Sequence, residues 1–385
     1  MEHEQTAVAS RAEAGMRLAD VPTPALLIDL DRMERNLASW QQFVTARGKK
    51  FRPHIKTHKI PQIALQQEAL GACGIAAAKP SEAEPFHEAG ARDIVIAYPS
   101  VGVDKWASIA RMARDARVAA NVDSDLQARG LSAAAVAENV TIGTQIEIDT
   151  GLHRCGLAPD AIDEIAAFAR LLGSLPGIEF QGVTTHRGKF DERLAQMTND
   201  EAGQEEGRLL VGIAERLRGL GIAVTEVTAG GTITGRGVAM VDGVTEDRAG
   251  TYVFNDALQV AFGSAAADDV AIAIVATVVS TRRRGWATVD AGSKTFSGDK
   301  AVVGSAIPGG SGVASAVGLD ATVMRITEEH GMVALGDGVA VEVGQRLTFT
   351  PFHVCTAVNL SNELVAIRNG LVEHVWPVLA RGYRT

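Results

Sequence analysis

Cysteine is scarce in this chain: Cys73, Cys155 and Cys355 are the only three among 385 residues. So odd and sparse a set excludes the disulfide framework of a small secreted domain. Positive charge is short as well. Lys and Arg number 37 against 46 Asp and Glu, leaving a net charge of -9. A nucleic-acid binder would carry a basic stripe, and the one basic cluster, Arg282, Arg283 and Arg284, follows a strand-like run and fits a solvated turn. No apolar run approaches the roughly 18 residues of a membrane span. The polar, alanine-rich stretch 1–20 lacks a basic region followed by an apolar one, so no secretory signal is expected. These absences point to a cytoplasmic protein with a flexible N-terminal arm over 1–20.

What is present is a 46% hydrophobic chain with 40 glycines, long enough for two domains. Apolar runs suited to buried parallel strands recur at 51–55, 74–78, 93–97, 117–122, 144–148, 179–185, 223–228 and 251–254. Helix-like periodic segments lie between them. Such alternation reads as repeated βαβ units, and eight of them fit a (β/α)8 TIM-like barrel over 21–267, with an open doubly wound sheet as the rival. The pattern changes near residue 268. Beyond it, closely spaced Val-, Ile- and Thr-rich segments (271–280, 286–289, 321–326, 346–349, 357–359, 364–368, 371–378) alternate with glycine turns at 308–310, 336–338 and 369–370. This predicts a C-terminal β-rich domain over 268–385. The strand-like segment within 21–30 is a candidate partner for it.

In a (β/α)8 barrel the chemistry sits where strands end. The first strand runs into Pro53-His54-Ile55-Lys56-Thr57-His58-Lys59. Lys56 there is either a surface lysine in a basic loop or a Schiff-base former. The fifth ends in Glu147-Ile148-Asp149-Thr150-Gly151, followed by Arg154 and Gly156: a polar turn held by Asp149, or an arginine offered to a cofactor or substrate. After the sixth comes His186, a structural histidine or an acid–base group. After the seventh, Gly230, Gly231 and Thr232 form a tight turn or a backbone cradle for phosphate. Tyr252 packs in the core or reaches the same phosphate. His353 and Cys355, two apart on an expected strand, face one side and offer zinc-type ligands, or serve structure alone. There is no Walker motif, no GxSxG elbow and no CxxC pair.

Taken in order, Pro-His-Ile-Lys-Thr-His-Lys, Glu-Ile-Asp-Thr-Gly-x-x-Arg-x-Gly, Gly-Gly-Thr, Asp-Ala-Gly-Ser-Lys and His-x-Cys resemble the D-threonine aldolase / D-serine dehydratase family. These are alanine-racemase-like, fold-type III pyridoxal phosphate enzymes. The resemblance runs from about residue 22 to the C-terminus. It implies pyridoxal 5'-phosphate on Lys56, Arg154 facing the pyridine nitrogen, and Gly230, Gly231, Thr232 and Tyr252 at the phosphate. It also implies a divalent metal, Zn2+ or else Mn2+, on His353 and Cys355, and a homodimer with its active site near the subunit interface. His330 resembles a motif close to that site. Family aldolases typically carry His-x-Asp at the metal pair and dehydratases His-x-Cys.

The expected activity is therefore that of a metal-assisted lyase on a D-3-hydroxy amino acid, with no nucleic-acid or membrane partner. Dehydration to a 2-keto acid and ammonia comes first. Retro-aldol cleavage to glycine and an aldehyde, with His186 as base, is the alternative. A racemase would need a second base, usually a tyrosine, and the chain has only three: Tyr98, Tyr252 and Tyr383.

Overall fold

A computed structural model describes residues 11–188, 192–300 and 312–383. It contains two sheets. After β1 (Ala25–Asp29) come eight parallel strands: β2 (Lys50–Phe51), β3 (Ile75–Ala77), β4 (Asp93–Ile96), β5 (Arg117–Val122), β6 (Ile142–Glu147), β7 (Ile178–Thr184), β8 (Glu226–Ala229) and β9 (Glu246–Asp247). They stand in chain order, β9 pairs with β2, and a bridge between His54 and Ala76 closes β2 onto β3. The result is a (β/α)8 barrel. Strands β3, β6 and β8 are buried at every residue, as expected where helices cover a parallel sheet.

The outer helices follow from local signals. Asp29 accepts the Arg32 N–H and starts the helix Leu30–Thr45, whose Met33, Leu37, Trp40 and Val44 recur at helical spacing and are all buried. A reciprocal Thr198–Glu201 capping box opens the helix Asn199–Gly219. Inside, the barrel is partly polar. Arg52 bridges Glu246 at 3.0 Å and Asp93 at 2.6 Å, and Thr228 Oγ1 donates to Gln145 Oε1 at 3.0 Å. These groups largely satisfy one another, with Glu246 Oε1 left without a partner.

The second sheet holds β10 (Ile272–Ser280), β11 (Trp286–Val289), β12 (Ala314–Ala316), β13 (Ala321–Ile326), β14 (Gly331–Leu335), β15 (Arg346–Pro351), β16 (Glu363–Arg368) and β17 (Leu371–Pro377). β10 pairs with both β11 and β15, so β10, β11, β14, β13, β12 and β15 close into a small antiparallel barrel. β1 joins this sheet, antiparallel to β10 and parallel to β16. Phe51, Tyr252 and Trp40 from the first module share one apolar cluster with Ile274, Val289, Val333 and Phe349 of the second.

Four expectations need correction. The segment 251–254 is not the eighth strand but a 3-10 turn, Thr251–Val253. The eighth strand is the two-residue β9, whose Glu-Asp sequence carries no strand signal. Segment 357–359 lies in a short helix, Val354–Leu360, because a brief apolar run reads equally well as either element. Strands β12 and β14 have no counterpart in the sequence reading. Lastly, the flexible arm expected over 1–20 is docked from Ala12 onward. Gly15 N–H and Leu18 N–H donate to the carbonyls of Val372 and Gly370, each at 2.8 Å, and Ala12 is buried. Residues 1–10 and the turn at 308–310 lie outside the described residues.

Candidate active site

A cavity of about 460 Å³ opens at the C-terminal ends of the barrel strands, within the range of small-ligand sites. Lys56 enters it from the 3-10 turn Ile55–Thr57 that follows β2. The Lys56 N–H donates to His54 Nδ1 at 3.3 Å, which fixes the start of that turn. His54 lines the cavity as well. Burial, then the charges of Lys56, Arg248, His186 and Arg154, hold its imidazole well below the ordinary range, so it is neutral.

Arg154 leaves the loop after β6, half exposed, with Nη2 3.3 Å from Glu147 Oε1. Glu147 is buried and also accepts from Asn121 Nδ2 at 3.2 Å and from the Cys155 thiol at 3.0 Å. Asp149 shapes the loop itself, taking the Gly151 and His153 N–H groups. The motif is thus a turn built by Asp149, with Arg154 on the cavity lining.

His186 follows β7, its Nδ1 3.4 Å from the Gly230 carbonyl oxygen. Burial, reinforced by Lys56, Arg154 and Arg248, pulls its pKa down to about 3. At neutral pH it is an uncharged imidazole, a weak base in this setting.

The turn from Gly230 to Thr234 is held from beneath by Glu206, which is fully buried and accepts from Gly230 N–H at 3.3 Å and Thr234 Oγ1 at 2.8 Å. Gly230 has φ +94°, and a Cβ on Gly231 would come within 2.8 Å of His186 Cε1. The N–H groups of Gly231, Thr232, Ile233 and Thr234 find no acceptor among the described residues. Four such donors on residues that line the cavity suit an anionic phosphate.

Tyr252 does not join them. Its side chain is buried between Trp40 and Phe51, and its hydroxyl accepts from Gln67 Nε2 at 2.7 Å. Only its backbone touches the turn, donating to Thr232 Oγ1 at 3.0 Å. The phosphate role expected of it is thus one of supporting the turn. His330 is exposed in the β13–β14 turn, away from the cavity lining.

One residue that pattern reading missed is Arg248. It lines the cavity and is buried. Nη2 donates to the Thr185 carbonyl at 3.0 Å, while Nε and Nη1 have no partner. Arg248 is thus a second arginine at the cavity beside Arg154.

His353 and Cys355 line the same cavity but not on a strand: His353 precedes the helix Val354–Leu360 and Cys355 lies in its first turn. The Cys355 Sγ is 3.4 Å from Thr57 Oγ1, which puts the pair beside the Lys56 turn. Burial opposes ionisation of both groups. Even so, their mutual attraction raises His353 to about 11, with help from Asp256, and lowers Cys355, with help from Lys56 and Thr57. An imidazole beside a thiolate is a zinc-type donor set. Among the described residues no group of three or more His, Cys, Asp or Glu is placed to hold a metal ion, so any metal held here would keep positions open to water or substrate.

The family profile "Alanine racemase, N-terminal domain" matches residues 28–257, and "Putative serine dehydratase domain" matches 271–367. The chain is 35% identical to a D-threonine aldolase of Arthrobacter sp over 97% of its own length and 96% of that protein's. It is also 35% identical to the D-threo-3-hydroxyaspartate dehydratase of Delftia sp. strain HT23, over 88% of this chain and 92% of that one. A solved variant of D-threo-3-hydroxyaspartate dehydratase, a cysteine replaced by alanine and in a metal-free form, superposes with TM-score 0.85 at 32% identity, covering 94% of this chain and 98% of that one. Two profiles that meet where barrel gives way to β module, and relatives matching from end to end, place the chain in the D-threonine aldolase / D-serine dehydratase family of alanine-racemase-like enzymes.

Proposed function

We propose that this chain is a pyridoxal phosphate-dependent, zinc-assisted lyase that dehydrates a D-3-hydroxy amino acid to a 2-keto acid and ammonia. The observation that carries the reading is the sharing of one cavity by Lys56, a cradle of free backbone amides and a His–Cys pair. Bound through Lys56, pyridoxal phosphate would supply an electron sink for the Cα–H bond. A zinc ion on His353 and Cys355 would supply a Lewis acid for the β-hydroxyl.

The protein's own groups do the rest. The amides of Gly231 to Thr234 hold the phosphate and fix the ring's position. Arg248 or Arg154 faces the ring with a cation that does not give up its proton, which keeps the ring a weak sink and makes assistance at the β-carbon necessary. Lys56 Nζ would take the Cα proton and hand it to the departing β-hydroxyl, which then leaves as water. Elimination of water followed by hydrolytic release of ammonia gives the 2-keto acid.

Cys355 favours dehydration, since the family's aldolases typically carry Asp there. Retro-aldol cleavage is the second reading, favoured by the place of His186 in the same cavity, though burial leaves its imidazole a weak base. Product analysis tests the choice. The protein, with pyridoxal phosphate and zinc, is incubated with D-serine, D-threonine, D-phenylserine and D-threo-3-hydroxyaspartate. Keto acid and ammonia in equal amounts, lost on chelation, are expected. Glycine and an aldehyde would reject dehydration in favour of the aldolase.

A further inference from the structure

Asp256 lies between the barrel and the β module, fully buried. Its Oδ1 accepts the Gln259 N–H at 2.9 Å and starts the short helix Ala257–Ala261. Its Oδ2 accepts the Val354 N–H at 3.0 Å, across the junction, while the Leu258 N–H donates back to the Phe352 carbonyl at 3.1 Å. Two chain segments are thereby laced together on either side of His353. The same Oδ2 stands 3.4 Å from His353 Nδ1, a buried ring nitrogen with no hydrogen-bond partner.

We infer that Asp256 is a positioning residue for the metal: it holds the proton of His353 on Nδ1 and so leaves Nε2 free to bind the ion. The inference rests on the proposed metal role of His353 and Cys355. The physical reason is general. An imidazole that ligates through one nitrogen needs an acceptor at the other, and a carboxylate there both fixes the tautomer and makes the ring a stronger donor. Asp256 is the only carboxylate within salt-bridge distance of His353 among the described residues. Because it also takes the Val354 N–H, it sets the start of the helix that carries Cys355. One carboxylate in the barrel segment therefore aims both ligands of the β module.

Two substitutions separate this role from mere support. Asp256→Asn keeps the shape and loses the charge. Asp256→Ser keeps a good helix cap for Gln259 and removes the oxygen facing His353. Zinc affinity is measured on the cofactor-loaded protein by competition with a chromophoric chelator, alongside His353→Ala and Cys355→Ala. Both Asp256 variants should bind zinc about 10–100-fold more weakly than the parent. Binding within about threefold of the parent, with His353→Ala and Cys355→Ala abolishing it, overturns the role of Asp256 and leaves the metal site standing. Zinc binding that the His353 and Cys355 variants do not alter overturns the metal site and the inference with it. Should the variants fail to fold, nitrogen NMR of the zinc-loaded parent decides: Nδ1 protonated supports the inference, Nε2 protonated overturns it.

Discussion

Replacing Asp247 with asparagine should change how stability depends on pH. Asp247 ends β9 directly beneath the glycine turn and is fully buried. Its Oδ1 accepts the Ala249 N–H at 2.9 Å and the Trp40 Nε1–H at 3.3 Å, but Oδ2 has no partner and abuts Gly230 and Gly235. Burial pushes its carboxyl up to about 7; Glu206 adds to the rise, and the two hydrogen bonds and Arg248 oppose it. In the unfolded chain the same group ionises near pH 3.9. A group with a raised folded pKa lends its full stability below the unfolded value and loses it as pH climbs to the folded one. A shift of about three units at 1.36 kcal/mol each amounts to roughly 4 kcal/mol, lost between about pH 4 and pH 7. Asn keeps the shape and the Oδ1 acceptor and cannot ionise. The stability difference, Asp247→Asn minus parent, should therefore grow by roughly 3 kcal/mol between about pH 5 and pH 8. Urea unfolding of both cofactor-free proteins at several pH values reads it, since carboxylates common to the two cancel in the difference. A difference flat to within about 1 kcal/mol over that range would refute the reasoning.

Gly231→Ala places a Cβ 2.8 Å from His186 Cε1, so the ring must move; turnover should drop about tenfold or more with the fold intact by circular dichroism. Because His186 is held neutral down to about pH 3, its ring-proton NMR shift should stay flat from about pH 5 to pH 8, and a titration midpoint near 6.5 would contradict that burial. Lys56→Ala should still bind pyridoxal phosphate in the amide cradle but trap none on borohydride reduction, as mass spectrometry of the intact chain would show; a trapped adduct would place the linkage on another lysine.

Much of this site could be read from the chain because its residues sit in motifs at strand ends. Lys56, Arg154, His186 and Gly230 to Thr232 all reach one cavity. What escaped did so for separate physical reasons. Strand β9 is two charged residues long, so no hydrophobic pattern marked its end, and the residue that matters there, Arg248, went unseen. The same slip moved the expected strand onto 251–254 and left Tyr252 pointing at a phosphate instead of into the Trp40–Phe51 core. His353 and Cys355 were paired on the wrong element, but two residues can share a side at a helix start as well as on a strand. Asp256 carries no local signal, because its partners lie almost one hundred residues further along, at Val354 and His353.

Strand β1 leaves the ribosome well before its partners β10 and β16, which follow about 250 and about 340 residues later. The barrel can assemble while synthesis continues; the sheet of the second module cannot, because a central strand and its neighbours come from opposite ends of the chain. Until β16 is made, β1 presents an apolar edge with open backbone groups. Fragments cut at the profile boundary near residue 268 would each inherit that edge, so the unit that folds cleanly is the whole polypeptide rather than either module expressed alone.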